Sequence, residues 1–304
     1  MIPIAAVIGA ATAAGVRIEH RRPEWATAAA GRLMSLVLWV VLPIAAFFNL
    51  AALHLSGRVG AALLFAYAAT TVTIGAAYLI GTYVLRLPRG GVGALMCVAV
   101  FGNTGYLGLP FTAALFGFDA LGNAVVYDTL VSAAGVVTVG FSIGAGFGTI
   151  AQRPVDRLKA FFARNPPLWA SAAGLLAPSV LAPHWAVDSS RVLVMAILPI
   201  GFFAVGVTLS REAEQGAARF PPPLTAPVAV GIALKLLVVP GVLLLLSTVV
   251  VSVPEAYLTQ AAMASGINTI LIADEYGLDR ALTAAVIAWT TAIVVAAGLV
   301  AALV

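Results

Sequence analysis

Charge is scarce in this sequence, with 16 Lys and Arg and 12 Asp and Glu in 304 residues, while 62% of the chain is hydrophobic. So few charges cannot coat a water-soluble globule, and that class is excluded. Cysteine is scarcer still. The one thiol, Cys97, excludes an internal disulfide and a multi-cysteine metal site, and its apolar surroundings fit a small buried residue. The three histidines, His20, His54 and His184, fall near the ends of apolar runs and form no ligand cluster, so no metal site is expected. Also lacking are an intramembrane Ser/His pair, a carboxylate pair and a phosphate-cradling loop, so neither an enzyme nor a cofactor is expected.

What the chain has in abundance is apolar runs. Ten are found, at about 2–16, 33–53, 59–85, 91–116, 121–147, 166–183, 191–210, 224–250, 254–276 and 280–303. Most approach or exceed the roughly 20 residues that a membrane-crossing helix needs. The expected fold is therefore an all-α polytopic membrane protein with ten transmembrane helices. With the N-terminus outside, thirteen basic residues fall in inside connections and two, Arg58 and Arg191, fall outside. That asymmetry predicts a cytoplasmic central loop.

The longest polar connection, 149–165, divides the chain into a five-span unit at 1–148 and a second at 166–304. Leu42-Pro43-Ile44 and Phe47-Phe48 in span two reappear as Leu198-Pro199-Ile200 and Phe202-Phe203 in span seven. Asn103-Thr104 and Phe116-Gly117-Phe118-Asp119 in span four match Asn268-Thr269 and Tyr276-Gly277-Leu278-Asp279 in span nine. The halves read as repeats. Because five is odd, the second copy enters the membrane from the opposite side, so the repeats are inverted.

Span four is interrupted by FGNTGYLGLP, residues 101–110, and span nine by Ser265-Gly266-Ile267-Asn268-Thr269. Glycine and proline weaken the helical ladder, and a break in lipid is tolerated only where it lines a cavity. Paired breaks in inverted repeats point to a carrier that binds its substrate where they meet. The candidate substrate-binding residues are Asn103, Thr104, Gly105, Pro110, Ser265, Gly266, Asn268 and Thr269. They supply amides and hydroxyls without acid, which suits a carboxylate-bearing ligand better than a cation, and half-helix N-termini add partial positive charge. Interhelical hydrogen bonding is the plainer role for the same side chains. Two ionisable residues lie within spans, Asp128 and Lys235, and are candidates for coupling or charge compensation. Surface access would also explain Asp128, and Lys235 could neutralise an anion, cap broken-helix carbonyls or snorkel inward. Gly144 and Gly148 read as close helix packing.

The segments GNTGYLGLP, LPIGFFAVGVTL, LKLLVVP and SGINTILIADEYGLD, in this order, resemble the auxin efflux carrier family of bacterial permeases and plant PIN-type exporters, relatives of the bile/arsenite/riboflavin transporter superfamily. The resemblance implies broken crossing helices four and nine, as in bile acid:sodium symporters and sodium/proton antiporters, with scaffold and transport domains each drawn from both repeats. It implies secondary active transport of small organic anions, such as dicarboxylates or auxin-like acids, across the cytoplasmic membrane by an elevator motion. Proton or sodium coupling and a homodimer are further expectations, and no nucleic-acid partner is expected. A sodium-coupled bile acid-type symporter, or a channel or membrane sensor using the same pocket, are the alternatives. The chain departs from the family in having Gly266 where proline is usual, and in carrying Thr70, Thr71 and Thr73 in span three where the plant exporters have an acid.

Overall fold

A computed structural model describes residues 2–52, 57–149, 166–214 and 221–301. The connection assigned to 149–165 lies outside these except for Thr149, as do His54 and Arg219. Among the described residues the chain is helical, without a strand. In order come α1 (Ile2–Arg21), α2 (Pro23–Ala51), α3 (Val59–Val84), α4 (Arg89–Val100), α5 (Leu109–Phe116), α6 (Phe118–Phe147), α7 (Pro166–Leu176), α8 (His184–Glu214), α9 (Ala226–Val249), α10 (Glu255–Ala261), α11 (Asn268–Tyr276) and α12 (Arg280–Ala301). Five stretches, α2, α3, α6, α9 and most of α12, are long and apolar enough to cross a membrane. Their outward faces carry large apolar side chains such as Trp39, Leu64, Leu79, Leu237, Leu245 and Val249. So much unpartnered apolar surface is what lipid requires of a multi-pass protein.

Proline sets much of the local geometry. Wide helical turns at Val37–Val41, Thr104–Gly108 and Leu234–Val238 each end two residues before a proline, at Pro43, Pro110 and Pro240. A proline lacks the N–H that would bond the carbonyl four residues back, and its ring pushes that carbonyl aside, so the preceding turn opens. Two of these opened turns carry Thr104 and Lys235.

Glycine sets the helix contacts. A Cβ on Gly15 would lie 2.3 Å from the Phe203 carbonyl oxygen, and one on Gly206 would lie 2.2 Å from that of Thr12, so α1 and α8 cross with their backbones touching. Likewise a Cβ on Gly174 would lie 2.6 Å from the Phe47 carbonyl oxygen where α7 meets α2. Gly144 and Gly148 of α6 and its C-terminal turn close on Tyr276 of α11, which agrees with the packing role read for them. At the end of α1, the Ser210 hydroxyl of α8 donates to buried Glu19 over 2.9 Å. The helix thus runs on past residue 16, where the apolar run ends.

The buried side chains form two large apolar clusters. One joins α2, α3, α6 and α9 with Leu109 and Ala113 of α5 and Ala256, Tyr257 and Ala261 of α10. The other joins Val92 to Val100 of α4 with Ile272, Ala273 and Tyr276 of α11, together with parts of α9 and α12. Each interrupted segment therefore leaves one cluster and enters the other at its break.

Replacing Gly15 or Gly174 by Leu should lower the melting temperature of the detergent-solubilised protein, since overpacking of this kind costs about 1–3 kcal/mol. Gly60→Ala, where a Cβ meets nothing within 4 Å, serves as the control and should melt at or above the wild-type temperature.

Candidate functional site

The two breaks touch. Gly102 and Ser265 form an antiparallel bridge in which the Asn103 N–H donates to the Ala264 carbonyl over 2.7 Å and the Gly266 N–H donates to the Phe101 carbonyl over 2.8 Å. Backbone groups freed by the interruptions satisfy one another here, which removes a cost of several kcal/mol per group in a lipid interior. Gly266 makes this approach feasible, because a Cβ there would lie 2.8 Å from the Gly102 carbonyl oxygen. Its glycine therefore answers a steric demand of the crossing.

The candidate side chains fall into two groups. Three hydroxyls are engaged within the protein: Ser265 Oγ donates to the Val98 carbonyl over 2.7 Å, Thr269 Oγ1 to the Gly266 carbonyl over 2.7 Å, and Thr104 Oγ1 to Asp128 Oδ1 over 2.5 Å. The Ser265 N–H is itself held by Thr290 Oγ1 over 3.0 Å. The amide side chains of Asn103, 8% exposed, and of Asn268, which is exposed at the start of α11, make no hydrogen bond to any described residue. Gly105 lies against Asp128: a Cβ on it would be 3.4 Å from each carboxylate oxygen. Pro110 is buried in the first turn of α5, and its contribution is the opened turn that precedes it. Asp128 itself lies in a wide turn, Tyr127–Ala133, and is partly buried.

Lys235 is 1% exposed, and its ammonium donates to the Ala261 carbonyl, at the end of α10, over 2.8 Å. The cation therefore sits at the negative end of a half-helix, where it is favoured. It also borders a narrow cleft of about 260 Å3, counting the open mouth, shared with Thr70, Gly102, Thr104, Tyr127 and Gln260. Its closed end has room for a group about the size of a water molecule. Asp128 and Lys235 take separate partners within this site. Gln260 was not among the residues singled out from the sequence, although a lone glutamine in the apolar run of span nine was a readable signal. It is fully buried, its Nε2 lies 3.4 Å from Thr112 Oγ1, and its Oε1 accepts no hydrogen bond. Thr290 gave no such signal, because a threonine in an apolar helix usually bonds its own preceding turn, as this one also does.

Together these features define a multi-pass helical membrane protein with a polar site built around the contact of two interrupted segments. A family model described as membrane transport protein matches residues 153–300. The second half of the chain is thus similar to membrane transport proteins, and three of the four motifs quoted for the auxin efflux carrier resemblance lie inside the matched segment. A protein of Methanocaldococcus jannaschii named as an uncharacterized transporter is 28% identical over 145 residues, 45% of this chain and 45% of that protein. The match spans less than half of that relative's length.

Ser265→Ala would strand the buried Val98 carbonyl. The loss should be about 1–3 kcal/mol, read as a lower melting temperature in detergent. Ser265→Thr, which keeps the hydroxyl, should lose less.

Proposed function

We propose that the protein is a secondary active carrier of small organic anions, carboxylates among them, in the cytoplasmic membrane, with its N-terminus outside. The fold we propose is ten crossings in two inverted five-helix repeats, α1–α6 and α7–α12. The transport domain contains the crossing of α4 and α5 with α10 and α11, and slides against a scaffold of α1, α2, α7 and α8.

The observation that carries this reading is an exchange of packing partners. In inverted repeats, contacts between elements recur with the two halves swapped, and several do so here. The contact of α1 with α8 has its counterpart in that of α7 with α2; α3 with α6 in α9 with α12; α3 with α4 in α9 with α10; and α5 with α6 in α11 with α12. The match reaches single atoms. Gly15 closes on the Phe203 carbonyl and Gly174 on that of Phe47, and Phe47 and Phe203 are counterparts in the LPI segments. Gly117 and Gly277, which end α5 and α11, are the two glycines among the described residues with a left-handed φ, at 78° and 68°.

An anion as substrate is supported by the polar groups on and around the two breaks: one buried ammonium bordering the cleft, two unengaged amides on the interrupted segments outside the cleft's lining, and a carboxylate, Asp128, that is already bonded by Thr104. Uptake of a proton by the Asp128 carboxylate on one side of the membrane and its release on the other would supply proton coupling, and sodium coupling would instead need oxygen ligands. The closed end of the cleft admits a group about the size of a water molecule, so binding a whole organic anion would require the cleft to open.

Asn103→Ala and Asn268→Ala should each reduce uptake into proteoliposomes at least about tenfold, the loss of one to two hydrogen bonds to a charged group. Wild-type uptake by both would remove them from the site. Counterflow of labelled substrate should be observed, since an alternating-access carrier exchanges across the membrane and a pore or a sensor does not.

A further inference from the structure

The crossing is symmetric in its backbone and asymmetric in its side chains, and the asymmetry has a specific content. The antiparallel bridge pairs Gly102 with Ser265, and the same two-fold relation carries Val98 to Ala261. Ser265 Oγ donates to the Val98 carbonyl over 2.7 Å. The matching Ala261 carbonyl has no serine to serve it, because Gly102 stands in that place. It is served by Lys235 Nζ over 2.8 Å, and a Cβ on Gly102 would lie 3.4 Å from that same Nζ. A Cβ at 102 would thus lie in van der Waals contact with the ammonium.

A neutral hydroxyl would have met the carbonyl's need, as it does on the other side. A lysine brings three N–H donors and a full charge, of which the carbonyl uses one donor. Among the described residues the ammonium has no other hydrogen bond and no ion pair. Burying a charge this way is expensive unless an anion completes it. The buried, unsatisfied Oε1 of Gln260 borders the same cleft and adds an acceptor for a donor group brought by a ligand. On the Ser265 side of the crossing, Oγ and N–H are both taken.

We propose that Lys235, in the space left open by Gly102, is the single fixed cation of a one-sided ligand site and takes the carboxylate group of a mono-anionic substrate. This rests on the carrier reading above and adds to it the valence of the substrate and the group that holds it. One ammonium neutralises one carboxylate; a second carboxylate on the same ligand would enter the cleft unpaired, near Thr104 and the Asp128 it bonds.

The test uses the full-length protein in lipid nanodiscs. Binding is measured by thermal shift and calorimetry with butyrate and succinate, with benzoate and phthalate, and with the matching amides. Each monocarboxylate should bind about tenfold or more tightly than its dicarboxylate partner, and the amides should not bind. Lys235→Met alone leaves the Ala261 carbonyl unserved and should lower the melting temperature. The double variant Gly102→Ser/Lys235→Met supplies the neutral hydroxyl found on the other side, so it should recover much of that stability and still lose about a hundredfold in affinity for the monocarboxylate, as removal of a buried charge partner does. Wild-type affinity in the double variant, or dicarboxylates binding as well as monocarboxylates, overturns the proposal while leaving an anion carrier intact. If the double variant does not fold, the valence series on the wild-type protein decides. If no anion binds and none exchanges in counterflow, the carrier reading falls and this inference with it.

Discussion

Two main-chain hydrogen bonds at the centre of the protein hold the remaining architecture in place. They join Asn103 to Ala264 and Gly266 to Phe101, and without them an interrupted helix inside a membrane would present bare N–H and C=O groups to lipid. Once the two interruptions satisfy each other, each half-helix can end inside the protein, and the chain can pass from one apolar cluster to the other. Polar side chains can then gather at a depth where an intact helix would offer only its apolar faces. The interior glycines serve this contact. Gly266 admits the facing backbone, Gly105 admits the Asp128 carboxylate, and Gly102 leaves space beside the Lys235 ammonium.

Proline works at longer range. Pro110 and Pro240 follow the opened turns that carry Thr104 and Lys235. A site assembled this way depends on residues that an inspection of contacts alone would pass over. The apolar clusters flanking it pack α5 with α10 and α4 with α11.

Much of this was legible in the chain. The scarcity of charge and the apolar runs gave a helical membrane protein, and the cluster of Gly, Pro, Asn and Thr in residues 101–110 marked an interruption. The recurrence of Asn and Thr in span nine marked its partner. What the residues could not give is the register of the contact. Matching Asn103 with Asn268 by residue type is natural in a sequence, whereas the backbone pairs Asn103 with the segment Ala264–Gly266, one turn earlier, and leaves Asn268 at the start of the following helix. Register is set by which N–H meets which carbonyl, and side-chain identity records that only indirectly. Gln260 and Thr290 escaped for a related reason, since their roles depend on neighbours more than 20 residues away, Thr112 and Ser265. The role of Lys235 was left open among three options, and the contact with the Ala261 carbonyl meets one of them, the capping of a broken helix.

That the central contact is made by main chain has a consequence for how such proteins diverge. A junction fastened by peptide groups demands small size at Gly266 and a donor for the Val98 and Ala261 carbonyls, and leaves open which side chain supplies that donor. At 102 and 265 a hydroxyl on one side and a neighbouring cation on the other meet the same demand. Lineages built on one skeleton could shift the charge they accept through one or two substitutions, and ligand preference would then drift faster than topology.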